Sequence, residues 1–355
     1  MTTSTPESPA VSPTIRGAHL VGSVNLPDAE TVLRTVSAHL GDRMRRIPDG
    51  EVGERFYWVQ FQTKRLDTMQ GLSRIPVDPF YLREQFDGRP FRLDEGVTAD
   101  ELVFPALGYA EAALDSYAVF RRLRGEGVIA PGTRFQVSLP TPAGVVGPFI
   151  VAEDRAAVEP AYERALFGEL QRILDGIPHD DLAIQWDTAV EFALLEGRMP
   201  SWFGEDVLAG VISRALWQAA AVPDDVQVGY HLCYGDVEEQ HFVQPADAGH
   251  LADVLGGILA AAPRPVNWVH LPVPIERDDE AYFAPLAWVD VPEGTELYLG
   301  LLHHEDGVEG ARRRAAAAAT AVTTFGVGTE CGFGRGPSDR TPSLLDLHAA
   351  VAEAW

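Results

Sequence analysis

At 355 residues the chain can hold one large barrel or two ordinary domains, and it is long enough to bury a substantial core. Hydrophobic residues make up 46% and charged residues 23%, the composition of a soluble globular protein, and a formal net charge of −24 argues against nucleic acid or an anionic membrane surface as a partner. Two cysteines far apart in the chain are no disulfide framework and point to a reducing, cytoplasmic setting.

Residues 1–15, rich in Thr, Ser and Pro, lack the basic start and apolar centre of a signal peptide. They read as a disordered tail ahead of a single domain over 16–355. No apolar run reaches the ~18 residues of a membrane span. Gly17 to Val24 reads as a first strand ending in a small-residue turn. Asp28 is set to cap a helix running to about Leu40, with Val32, Leu33, Val36 and Leu40 on one face. Met44 to Ile47 is a short second strand that runs into Asp49-Gly50-Glu51. Residues 56–96 carry many aromatics without a clean period and read as a long insertion over one face. A helix-rich stretch from Ala99 to Arg124 precedes a third strand, Arg134 to Ser138, which ends in an open run from Leu139 to Pro148.

From Glu153 onward the alternation is plain. Helices from Glu153 to Leu174, Phe203 to Ala220, Ala246 to Ala261, Asp279 to Leu286 and Val308 to Ala319 lead in turn to five strands. These are Leu182 to Asp187, Val226 to Leu232, Pro265 to His270, Glu296 to Leu302 and Ala321 to Val327, and a helix from Pro342 to Ala352 closes the chain. Eight strands alternating with helices are the pattern of an α/β fold, a single (β/α)8 TIM barrel with a long insertion after strand 2. No Gly-x-Gly-x-x-Gly follows the first strand, which argues against a doubly wound dinucleotide-binding sheet.

In a barrel of this kind the chemistry gathers at the C-terminal ends of the strands. The polar residues there are Ser23, Glu51, Ser138, Asp187, His231, Cys233, His270, His303 and Cys331, enough for a metal site and a polar pocket. His231 and Cys233 sit two apart on an extended backbone, so both side chains leave one face, and an imidazole with a thiolate is half of a zinc site. Cys331 follows another strand and is the only other thiol.

These segments resemble the catalytic barrel of cobalamin-independent methionine synthase across roughly residues 17–353. The matching pieces are Gly22-Ser23, Asp49-Gly50-Glu51 with Arg55, Ile184-Gln185-Trp186-Asp187, His231-Leu232-Cys233-Tyr234 and Cys331-Gly332. The resemblance implies zinc on His231, Cys233 and Cys331, an amino-acid thiol such as homocysteine held by Ser23, Glu51 and Asp187, and proton transfer assisted by His303. Two departures stand out. The family's fourth ligand is a glutamate at the end of the sixth strand, where this chain has His270; as a ligand, His270 would leave the centre neutral rather than singly negative. No tryptophan lies near Gly147-Pro148 in the sequence to stack on a pterin, so a folate donor is not supported.

The function that follows is a zinc-dependent methyl- or alkyltransferase, activating a small thiol against a methyl or alkyl donor. A zinc hydrolase or lyase on the same barrel, and a non-catalytic barrel with a structural zinc, are the alternatives.

Overall fold

The computed structural model describes residues 13–235 and 241–355. Its centre is one eight-stranded, parallel, curled sheet. In chain order the strands are β1 (Thr14–Ala18), β2 (Arg46–Pro48), β3 (Arg134–Pro140), β4 (Leu182–Thr188), β5 (Gln227–Leu232), β6 (Trp268–Pro272), β7 (Glu296–Leu302) and β8 (Thr324–Thr329). They lie side by side in the order β1-β8-β7-β6-β5-β4-β3-β2, each pair parallel. The two end strands also approach each other, since Val24 N donates to the Gly50 carbonyl at 3.0 Å and Ser23 forms a parallel bridge with Gly50. Of the expected tail, residues 1–12 lie outside the described residues, whereas Thr14 and Ile15 already belong to β1.

The two-residue period of a strand sorts the side chains onto two faces. Ile184, Trp186, Val228, Tyr230, Val269 and Leu299 point to one face and join the main apolar core beneath the helices. The opposite face is polar. Register pairs Asp187 with His231, His231 with His270, and His270 with Tyr298, so these side chains form a row across four neighbouring strands. Deeper in, Trp268 and Tyr298 make a small separate cluster with Ala183. Space for them comes from glycine: a Cβ on Gly229 would lie 2.1 Å from the Trp268 ring, and one on Gly326 would lie 2.4 Å from the Tyr298 ring.

The helices follow the sequence signals with a few instructive exceptions. Asp28 caps Ala29–Leu40 and accepts from Thr31 N at 2.7 Å, with Val32, Leu33, Val36 and Leu40 buried. The stretch from Ala99 to Arg124 is not one helix. A 3-10 turn over Ala99–Glu101 and a helix over Tyr109–Gly125 are separated at Gly108, whose φ of 92° no helix permits. The run after β3, expected to be open, forms a helix over Pro142–Phe149, capped by Thr141 and opened by Pro142. Thr-Pro is a helix-start signal that the glycines and the internal Pro148 conceal. Between β2 and β3 lie a 3-10 turn (Gly53–Tyr57), a short helix (Gln62–Leu66) and two antiparallel strand pairs, Leu72–Arg74 with Phe91–Leu93 and Tyr81–Leu82 with Phe86–Asp87. Among the described residues no helix is long and apolar enough to cross a membrane.

Candidate functional site

β5 delivers His231 and, one residue past its end, Cys233 to the polar face, while the chain beyond β8 brings in Cys331. The Cys233 and Cys331 sulfurs are 3.7 Å apart and unbonded, and the Cys331 sulfur is 3.6 Å from His231 Nε2. All three ligand atoms lie within 4.8 Å of one another and could hold a metal ion. Thiolates ~2.3 Å from a tetrahedral zinc stand about 3.8 Å apart, and a thiolate stands about 3.6 Å from an imidazole nitrogen. The two edges that meet at Cys331 therefore have the lengths found in a zinc tetrahedron. Burial, and then the neighbouring His270, push the His231 pKa well below the usual imidazole value, which keeps the ring neutral and its lone pair available.

His270, the expected fourth ligand, is not brought into this group. Its Nδ1 lies 2.9 Å from Nδ1 of His231, behind the ligand ring, and burial lowers its pKa to about 3.

The trio lines a pocket that is open to solvent at its mouth. Ser23, Glu51, Trp58, Asp187 and Arg335 contribute to its wall. Glu51 sits at φ 50° directly after Gly50 at φ 83°, a tight turn held by the Asp49 carboxylate. That carboxylate accepts from Glu51 N at 3.0 Å and pairs with Arg55. Burial raises the Glu51 pKa to about 7, against the pull of Arg55 and Arg335. Asp187 is raised well above the carboxylate range, first by burial and then by the charge of Glu51. Its orientation is set by Gln185, whose Nε2 donates to Asp187 Oδ1 at 2.8 Å and to the Val21 carbonyl at 2.6 Å. The Gln185 oxygen takes hydrogen bonds from His19 Nε2 at 2.7 Å and Trp268 Nε1 at 3.2 Å. Ser23 Oγ accepts from Gly334 N at 3.3 Å.

Two expected residues stand elsewhere. The Ser138 hydroxyl donates to the Val21 carbonyl at 2.9 Å, behind the pocket wall rather than in it. His303 lines a second pocket of about 540 Å³, which shares Gly235, Cys331 and Gly332 with the first. Its Nε2 donates to the Val273 carbonyl at 2.9 Å, so in the neutral ring Nδ1 is the free base. Burial lowers its pKa.

Sequence reasoning missed Trp58 and Arg335. Trp58 arrives from the stretch after β2, and its ring would touch a Cβ on Gly144 at 3.2 Å. Trp202 stands similarly near Gly147, at 3.4 Å. Indole rings therefore flank the Pro142–Phe149 helix, although no tryptophan is near it in the sequence. Nothing local marks Trp58; Arg335 could have been found as the cation closing Cys331-Gly-Phe-Gly-Arg.

No family model matches the chain, and no curated protein matches it. Solved structures do. A vitamin-B12-independent methionine synthase from Shewanella sp. W3-18-1, solved with selenomethionine, aligns at a TM-score of 0.56 and 13% identity over 96% of this chain and 97% of that one. A provisionally named vitamin-B12-independent methionine synthase from Listeria monocytogenes aligns at 0.55 and 15% identity, over 96% of this chain and 99% of that one. Over nearly its whole length, then, the chain shares its overall fold with structures described as methionine synthases of the cobalamin-independent kind, the family its strand-end motifs resemble.

Proposed function

We propose that the chain is a zinc-dependent methyl- or alkyltransferase acting on a small amino-acid thiol of the homocysteine kind, built as one closed (β/α)8 barrel from Thr14 onward. The observation that carries this reading is the convergence of His231, Cys233 and Cys331, one imidazole and two thiols close enough to share a metal ion, on the wall of a pocket that also presents Glu51, Asp187 and Arg335. Three protein ligands with one open position are the pattern of a catalytic zinc, and two thiolates suit thiol chemistry better than hydrolysis. Support for barrel closure comes from the Val24–Gly50 and Ser23–Gly50 contacts between the end strands. The chain from Gly53 to Leu93 would be the insertion after strand 2.

Bound there, zinc would keep a substrate thiol deprotonated and nucleophilic at neutral pH. The residues of the pocket do the rest. Glu51 and Asp187 are two buried carboxylic groups lining one pocket, and an ammonium group between them would favour their ionised forms and drive out a proton. Arg335 offers a guanidinium to the carboxylate of the same amino acid. Ser23 contributes a hydroxyl, and Trp58 a flat aromatic wall. In the transfer the sulfur forms its bond to the donor carbon while the leaving group departs with the bonding electron pair. His303, in the adjoining pocket, has a free ring nitrogen to exchange a proton with that leaving group.

The test is metal analysis with X-ray absorption. Purified protein is expected to hold close to one zinc with two sulfur neighbours, and homocysteine to add a third sulfur. Full zinc content in a Cys233→Ser, Cys331→Ser double variant, or a shell that ignores homocysteine, would overturn the reading.

A further inference from the structure

His270 is entirely buried, though its ring carries two polar nitrogens. Burying such a group is costly unless it is hydrogen-bonded. One nitrogen, Nδ1, meets His231 Nδ1 at 2.9 Å, while Nε2 has no well-formed hydrogen bond and only the Thr329 backbone near the ring to receive its proton. The fold nevertheless keeps room for the ring. A Cβ on Gly328 would lie 3.0 Å from His270 Nε2 and 2.8 Å from the His19 carbonyl, so only glycine at 328 leaves the imidazole its place. The His19 ring stands 5.7 Å away on another side.

Between two Nδ1 atoms at this distance there is room for one proton. His231 Nε2 faces the Cys331 sulfur at 3.6 Å and must present a lone pair there to act as a ligand. Its proton then belongs on Nδ1, and the acceptor for it is His270 Nδ1. The reverse arrangement would put the His231 proton on Nε2, aimed at the sulfurs, and would block ligation.

We propose that His270 is a positioning residue of the metal centre, accepting the Nδ1 proton of His231 and thereby holding that ring in the one tautomer and orientation that aim Nε2 at the metal. The inference rests on the metal reading above. Ligating histidines commonly hand this proton to a carboxylate or a backbone carbonyl. A neutral imidazole in that place fixes the tautomer without adding negative charge behind the metal.

The experiment compares zinc affinity, by competition with a chelating dye, in wild type, His270→Asn and His270→Leu, each checked for fold by circular dichroism. Outer-shell partners of ligating histidines are worth about 10–100-fold in metal affinity. His270→Leu should lose that much, whereas His270→Asn, whose amide oxygen can stand where Nδ1 stood, should stay close to wild type. Cobalt-substituted His270→Asn should also keep the wild-type ligand-field bands, which His270→Leu should shift. X-ray absorption of wild-type zinc should show one imidazole, and two would make His270 a ligand and overturn the inference. If the leucine variant does not fold, His270→Ala takes its place, with the same loss of about 10–100-fold expected and wild-type affinity overturning the inference. Equal zinc affinity in all three proteins would remove this inference alone; a wild type that takes up no zinc would remove the metal reading with it.

Discussion

Glu51 shows how one residue carries the tension of the pocket. It is 9% exposed, adopts a left-handed backbone conformation, and faces Asp187, itself 6% exposed. Burial raises the Glu51 pKa from 4.5 to about 7, so the folded chain holds this proton more tightly than the unfolded chain does. The associated stability is complete below pH 4.5 and is lost as the pH climbs through about 7, a change on the order of 3 kcal/mol. Glu51→Gln carries no such proton. It should be more stable than wild type at pH 8 by on the order of 2–3 kcal/mol, with the difference closing toward pH 4.5. Urea denaturation across that range measures it, and parallel pH profiles for the two proteins would refute it. At this scale His231, Cys233, Cys331 and Asp187 stood out in the sequence, because each lies at or just past the end of a strand with a recognisable apolar run before it. Trp58 did not, since its approach to Gly144 joins segments with no local relation.

Among the elements, the later strands were the most readable, whereas the first, expected over Gly17 to Val24, runs instead over Thr14–Ala18. β7 runs from Glu296 to Leu302 as its alternation indicates, and β4 extends one residue past its expected end. The polar face they share is less ordinary, because barrel interiors are usually filled by branched aliphatic side chains. Here Trp268 lies across Gly229 of the neighbouring strand, with the Arg46 guanidinium 4.2 Å from the ring and Gln185 on its Nε1. The indole is held on several sides and cannot retreat from a new methyl group. Gly229→Ala should therefore destabilise the fold by about 1–3 kcal/mol, although alanine is ordinarily the better strand residue. The shift in denaturation midpoint reads this directly, and a variant as stable as wild type would show that the ring can move. The helix over Pro142–Phe149 went unread for the opposite reason. Its sequence contains two glycines and, besides the opening Pro142, an internal Pro148, and burial of Val145, Val146 and Phe149 outweighs their poor intrinsic propensity.

At the scale of the whole molecule, the far end of the chain joins the first strand to the ground beside the second. Glu353 N donates to the Ile15 carbonyl at 2.9 Å and Trp355 N to the Asp42 carbonyl at 3.2 Å. The Trp355 ring packs over Gly17 and under the Arg45 guanidinium, which lies 3.8 Å from its centre. Trp355→Ala should cost about 1–2 kcal/mol through lost stacking and packing. Zinc content should be unchanged, since the contact is remote from the three ligands. Thermal unfolding alongside metal analysis checks both halves, and a loss of zinc without loss of stability would contradict the account.

What the residues dictate locally is the alternation of strand and helix, the sharing of one face by His231 and Cys233, and the capping of a helix by Asp28. Each depends on a period of two or 3.6 residues, or on a side chain bonding to its own backbone nearby. Whether Cys331 meets Cys233, and whether His270 ligates or stands behind His231, depends on sheet register and curl. Those are set by packing summed over the entire curled sheet and the helices that cover it. The same holds for His303, which a strand end brings to the far side of Cys331, and for Ser138, which it leaves one layer too deep. Only the tertiary fold decides these, because displacements of a few ångströms separate a ligand from its neighbour and no local pattern carries that precision.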